Sequence, residues 1–519
     1  VDSDTTGPNP NVNWGTGKLL VGPGAYSIAP SHSGLAGTST TICGVDFQSG
    51  MAIAFTPLGS TTPTALATTA TADPHCLMVT MPASSTAGIV PLTFTNPDNS
   101  TGADTFTYDP TPSSYQSVAP FRVLDTRSQY HTGTCTDSNG TSVTCSTLGA
   151  QQTLNVLVTG VTGSGVPASG VSAVVLNVTA ADETVPGFFT VWPTGVARPL
   201  ASNLNFVAGQ VVPNLVEVPV GAGGQVSLYN LAGTADAVFD IAGYVPSGNT
   251  GPAGLFNGIV PFRLLDTRAR FLTGSCFVTG TSTATPCGTL GSGQSIDLQV
   301  TGVTNSGIPA TGVMAVALNV TVTNATASSF LTAYPAGGTR PLASNLNFTP
   351  GLTVPNRVMV QIGVVNGVGR ITLFNFAGTV DVVVDGNGWF SDGVSQTTGG
   401  LYSGITPSRI VDTRFSRVIG SGQSLTVQVA GRGGIPAMNA ATPPTAVVLN
   451  VAVADTTFSS FLTAYPSDAS RPLASDLNWT AGKVVANLVI VKLSATGQVT
   501  FFNFAGVTDM VVDVEGWYT

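Results

Sequence analysis

Charge is scarce in this chain, so the places where it recurs are the first candidates for chemistry. Asp125 and Arg127 close the segment Val123-Leu-Asp-Thr-Arg127; the pair returns as Asp266 and Arg268 in Leu264-Leu-Asp-Thr-Arg268, and as Asp412 and Arg414 in Ile410-Val-Asp-Thr-Arg414. A further cation recurs as Arg198, Arg340 and Arg471, each opening an Arg-Pro-Leu-Ala-Ser segment. With only 8% of residues charged, such repetition is not random surface decoration. A guanidinium and a carboxylate form bidentate pairs, and buried charge survives only when paired and hydrogen-bonded. The leading expectation is therefore a buried polar network in each copy, joined by Asn177, Asn205, Asn214, Asn230, Asp240 and their counterparts. The competing expectation is a ligand pocket used three times, which requires these groups to converge on an accessible surface.

Familiar catalytic apparatus is missing. His32, His75 and His131 occupy unrelated places, and there is no Gly-x-Ser-x-Gly elbow, HExxH, P-loop or dinucleotide fingerprint. A glycosidase needs only two suitably separated carboxylates, so an extracellular hydrolase stands as a third reading behind two non-enzymatic ones. No cofactor is expected. Asp2 and Asp4 are the one hint of Ca²⁺, but without a spaced ligand loop they read as solvated tail. The cysteines fall as three local pairs, Cys43/Cys76, Cys135/Cys145 and Cys276/Cys287, without metal-ligand spacing. The second and third pairs occupy matching loops that the last copy lacks together with its cysteines, as pinning disulfides predict; an oxidising, extracellular setting follows.

The elements that position these residues are organised by an internal repeat. The Asp positions 125, 266 and 412 are spaced by 141 and 146 residues, and further blocks return in order. Val175-Leu-Asn-Val178 matches Ala317-Leu-Asn-Val320 and Val448-Leu-Asn-Val451. Arg198 to Phe206 matches Arg340 to Phe348 and Arg471 to Trp479, where Asp476 replaces the first Asn; the ends match as Asp240 to Tyr244, Asp385 to Trp389 and Asp513 to Trp517. Three copies, 119–246, 260–391 and 406–519, follow an N-terminal region of different character. Each copy contains short segments with period-two alternation between Gly, Pro, Asn and Asp, and no helical period. The expected fold is all-β, with tandem sandwich or jelly-roll-like repeats. The Gly-rich joints allow beads on a string or a pseudo-threefold cluster. Recurrent aromatics (Trp192/Tyr334/Tyr465, Phe206/Phe348/Trp479, Tyr244/Trp389/Trp517) read as core before glycan-stacking platforms.

Over 23–110, Thr41-Ile-Cys-Gly-Val-Asp-Phe47, Met78-Val-Thr-Met-Pro82 and Pro91-Leu-Thr-Phe-Thr-Asn-Pro-Asp-Asn99 ahead of Thr105-Phe-Thr-Tyr108 resemble an IPT/TIG domain, which implies an immunoglobulin-like spacer, stalk or partner-binding module. The three long copies resemble tandem modules of secreted and cell-wall-associated actinobacterial proteins, which implies an extracellular home and brings no catalytic residues to transfer.

The net charge of −9 and the lack of a basic patch argue against nucleic acid, and no apolar run is long enough to span a bilayer. A start at Val1 reads as a mature secreted form. The leading functional expectation is a structural extracellular or cell-surface protein, self-assembling into a fibre, sheath or surface layer; the alternative is a cell-wall or glycan-binding adhesin module. Residues 1–22 form a tail in which Lys18-Leu19-Leu20-Val21 is a candidate assembly strand for a neighbour's open sheet edge.

Overall fold

The fold was analysed in a computed structural model, which describes residues 112–415 and 418–519, and, of the first 111, residues 12–15, 18–21, 24–29, 32–33, 37–57, 60, 62–84 and 88–108. Asp2 and Asp4 lie outside the described residues. Strands dominate throughout, with two single-turn 3₁₀ segments among the described residues, and the chain divides into two compact units, Val1–Thr111 and Pro112–Thr519.

The first unit is a two-sheet sandwich. One sheet orders strands Gly24–Ala29, Thr38–Val45, Cys76–Met81 and Thr68–Ala70; the other contains Ala52–Phe55, Gly88–Thr95 and Thr101–Tyr108. Alternation sends Ile42, Ile53, Val79, Leu92, Phe94 and Phe106 into one core, and Cys43–Cys76 bridges facing positions of adjacent strands. Lys18–Val21 forms a strand, paired antiparallel with Val12–Gly15 in a hairpin separate from both sheets.

In the second unit each copy is an eight-stranded jelly roll. The first copy has one sheet ordered Gln116–Asp125, Asp236–Pro246, Val171–Ala181, Val212–Pro219, and a facing sheet built on Thr153–Leu157, Gln225–Asn230, Gly187–Pro193, Leu204–Phe206. In chain order these are 1-8-3-6 against 2-7-4-5, all antiparallel, the double Greek key of jelly rolls. The other copies repeat the order, beginning with Ala253–Asp266 and Tyr402–Asp412. The boundaries expected at 119, 260 and 406 fall inside these first strands, because the joints are themselves paired: Ser113 bridges Tyr402 and Phe256 bridges Gly400.

The cysteine pairs of the first two copies join as expected, Cys135 to Cys145 and Cys276 to Cys287. What they pin is not an irregular loop but a small hairpin, Cys135–Thr136 against Ser142–Val143 and Cys276–Phe277 against Ala284–Thr285. Cys135 and Cys276 sit on the inner strand of each hairpin; Cys145 and Cys287 lie two residues past its outer strand, outside any strand, and tie the returning chain back to the sheet. Cys145 is buried and Cys287 half-buried, each against the core of its own copy.

The copies form a cluster, not a string. In Val171–Ala181, Val174, Leu176 and Val178 face the copy's own core, whereas Ala173 and Val175 face a fourth core shared by all three copies. Ala315, Ala317, Ala446 and Val448 occupy the equivalent places, and Leu215, Met359, Leu488 and Ile490 meet them from the sixth strands. Tyr115, Phe256 and Tyr402 enter the same core, each lying on the glycine of its copy's closing motif: a Cβ on Gly243, Gly388 or Gly516 would come within 2.3, 2.3 and 2.5 Å of the respective ring. That close approach explains the glycine of the Asp-x-x-Gly-Tyr/Trp ending.

Candidate functional site

The repeated charges assemble into a quartet in each copy, and its fourth member escaped the sequence reading. Arg122, three residues before Asp125, donates from Nε and Nη2 to Asp240 at 2.9 and 3.0 Å and from Nη1 to Asp125 at 3.0 Å. Arg127 forks onto Asp125 at 2.9 and 2.7 Å. Arg263, Asp266, Arg268 and Asp385 repeat the arrangement, as do Arg409, Asp412, Arg414 and Asp513. The first strand carries Arg122 and ends at Asp125, with Arg127 two residues beyond, and it pairs with the last strand, so Arg122 lies opposite Asp240 in register. Burial raises the Asp125 and Asp266 carboxyls, but the adjacent guanidiniums outweigh it and hold them below the usual range. Burial prevails at the deeper partner, and Asp385 is pushed up to about 6. Arg122 and its equivalents were the legible omission: Phe121-Arg122, Phe262-Arg263 and Ser408-Arg409 sit at fixed distance from each Asp-Thr-Arg.

Arg198, Arg340 and Arg471 do not join these quartets. Each guanidinium stacks 3.9 Å over an aromatic ring of its own copy, Tyr229, Phe374 or Phe502, and bracing of this kind fixes the following loop. The loops then reach the next copy, where Leu200 O accepts from Arg409 and Leu473 O from Arg263. Asn230 caps a turn within its own copy, while the Asn205 amide nitrogen bonds nothing. The cysteines also stand apart from the charged groups: Cys43, Cys76, Cys135, Cys145, Cys276 and Cys287 are all consumed in disulfides, so none is left as a thiolate nucleophile or metal ligand. His131 meets Cys145 only through the backbone, with Nδ1 3.0 Å from the Cys145 carbonyl oxygen. Of the recurrent aromatics, Trp192, Tyr334, Tyr465, Phe206, Phe348, Trp479, Trp389 and Trp517 are buried and Tyr244 is half-buried, so they form walls of the cores.

Asn177, Asn214 and their equivalents close the seams. Asn356 Nδ2 donates to Asn177 Oδ1 at 2.8 Å, Asn487 to Asn319 at 2.9 Å, and Asn214 to Asn450 at 3.1 Å. The Oδ1 of Asn356, Asn487 and Asn214 accepts the backbone N–H of Leu215, Arg357 and Leu488 respectively. Every copy thus bonds both neighbours through the same positions, a closed pseudo-threefold ring.

Exceptions to that symmetry concentrate at the shared core. Arg357 stands where the other copies have Leu215 and Leu488, fully buried, and donates from Nη2 at 2.8 Å to Asp476, the residue that replaces the usual Asn. Glu217 and Glu515 are buried there too, with Tyr518 OH 3.3 Å from Glu217 and Asn203 donating to Glu515 at 2.6 Å. Burial pushes Glu217 up to about 8 and Glu515 well above its ordinary value. The two carboxyls are enclosed, so they do not offer the accessible pair that glycoside hydrolysis requires.

At the start of the three sixth strands, Val212, Val354 and Val485 rim a cavity of about 350 Å³ shared by all copies. Phe461 and Phe504, stacked at 4.8 Å, form part of its wall, Lys483 is its one cation, and its lining includes no carboxylate. Among the described residues no group of three or more His, Cys, Asp or Glu could hold a metal, and no helix is long and apolar enough to cross a membrane.

No family model matches the chain, and no curated protein matches it. Among solved structures the chain is similar to an archaeal-virus protein described by its triple jelly roll fold and turret assembly, at 9% identity over 78% of this chain and 90% of that one, TM-score 0.16. It is also similar to a protein solved with a xylogluco-oligosaccharide (11% identity, 71% and 78% covered, TM-score 0.15) and to one from Sulfolobus Turreted Icosahedral Virus (9%, 78% and 91%, TM-score 0.15). Global superposition on these three structures is poor.

Proposed function

We propose that this chain is a non-catalytic structural subunit of an extracellular or cell-surface assembly, self-associating into a fibre, sheath or surface layer, with its N-terminal sandwich serving as an IPT/TIG-type spacer. The observation that carries this reading is the closed pseudo-threefold unit, whose recurrent Asp–Arg charges pair off within each copy's quartet and whose asparagines bond across the seams. Three disulfides and no free cysteine among the described residues suit an oxidising exterior. Contacts made by a low-charge exterior are only weakly screened, so self-association is expected to persist from about 0.05 to about 1 M salt. Sedimentation velocity across that range tests it, and dissociation at high salt contradicts it. A second reading, glycan binding, is favoured by the shared cavity with its stacked Phe461 and Phe504. Saturable retention on a glycan array by residues 112–519, with no self-association of the full chain, would select it.

A further inference from the structure

One sheet edge is treated differently in the third copy. In the first two, the second strand of the jelly roll is covered by a disulfide-pinned hairpin. Cys135–Thr136 pairs with Thr153–Leu157, and Cys276–Phe277 with Ser295–Gln299, so that Leu157 N–H reaches Thr134 O at 2.9 Å and Gln299 N–H reaches Ser275 O at 3.0 Å. The covered strands also hold their hairpins by side chain: Asn155 donates to Asp137 O at 2.9 Å, and Asp297 accepts from Gly280 N–H at 2.8 Å. Among the described residues the third copy has no such hairpin. Twenty residues separate Arg127 from Leu148 and 21 separate Arg268 from Leu290, but only four separate Arg414 from the equivalent Ile419. Ser424–Gln428 is consequently the outermost strand of its sheet, and Thr426, in the place of buried Asn155 and Asp297, is exposed. Its sequence, Ser-Leu-Thr-Val-Gln, carries none of the charges or prolines that usually blunt an edge.

The same chain carries a hairpin without a sheet: Val12–Gly15 and Lys18–Val21 pair with each other and with no third strand among the described residues. We infer that the N-terminal hairpin of one copy of the chain adds to the Ser424–Gln428 edge of a second copy, supplying between molecules the cover that the first two repeats supply within themselves. The contact is heterologous, with donor and acceptor on different surfaces, so it propagates head to tail into an open filament. This rests on the self-association reading and specifies its contact.

Two full-chain variants test it. Deleting residues 1–22 removes the donor; Thr426→Pro removes an outward N–H from the acceptor edge while leaving the inner ladder, and circular dichroism checks that it folds. A third variant grafts residues 128–147 between Arg414 and Ile419 and closes the edge without a proline. Light scattering is expected to find polymers of the unaltered chain, monomers of each variant alone, and one-to-one heterodimers, nothing longer, when the deletion and Thr426→Pro proteins are mixed. Polymers persisting in the folded edge variants would overturn the inference and leave self-association standing. A monomeric unaltered chain would overturn both.

Discussion

At the residue scale, the informative positions are those where one copy departs from the other two. Arg357 and Asp476 depart together, and the pair completes a seam that elsewhere uses Leu and Asn. Removing one partner leaves a buried charge uncompensated, which costs about 3–5 kcal/mol. Asp476→Asn is therefore expected to destabilise the second unit by that amount in denaturant unfolding, and adding Arg357→Leu to return stability to the wild-type level or above it. A double variant no more stable than the single one would contradict the assignment. Glu217 supplies a pH dependence whose sign is fixed by its raised value of about 8. Between the unfolded carboxyl value, near about 4.3, and the folded value the unfolded chain has lost this proton and the folded chain has kept it, so stability falls as pH rises, by about 1.4 kcal/mol per unit. Glu217→Gln is expected to flatten the profile across that window, seen as a smaller loss of midpoint between about pH 5 and about pH 8; an unchanged slope would remove Glu217 as the cause.

At the element scale, the repeat blocks become strands whose two faces have different owners. The alternation and Gly/Asn punctuation made the all-β class and the repeat order legible in the sequence. What they did not convey is that Val171–Ala181 is buried on both faces, although its nearly unbroken apolar run, Val174-Val-Leu-Asn-Val178, is the pattern of a strand covered twice. The Asp-Thr-Arg pairing was readable because the residues are two apart, and the Cys135–Cys145 and Cys276–Cys287 bonds because each closes so short a stretch of chain. The seam hydrogen bonds were not, because Asn177 and Asn356 lie 179 residues apart and nothing local signals their partnership. The closing glycines belong to this scale as well. Gly388→Ala would drive a methyl against the Phe256 ring, so it is expected to cost about 1–3 kcal/mol through overpacking, measured by thermal or denaturant unfolding. A neutral outcome would mean that the ring does not hold its place on the glycine.

At the scale of the whole molecule, fusing three jelly rolls in one chain lets equivalent positions diverge, which a true homotrimer does not permit. One copy can carry an Arg, another an Asp, and one can lose the hairpin that covers its edge. Closure uses up the inner surfaces of all three copies, so any larger assembly must grow from outer edges and from the N-terminal unit. The most direct measurement is negative-stain electron microscopy of the purified full chain over a concentration series. Regular filaments or sheets that lengthen with concentration are the predicted result, whereas single particles of uniform size at every concentration would contradict the structural reading.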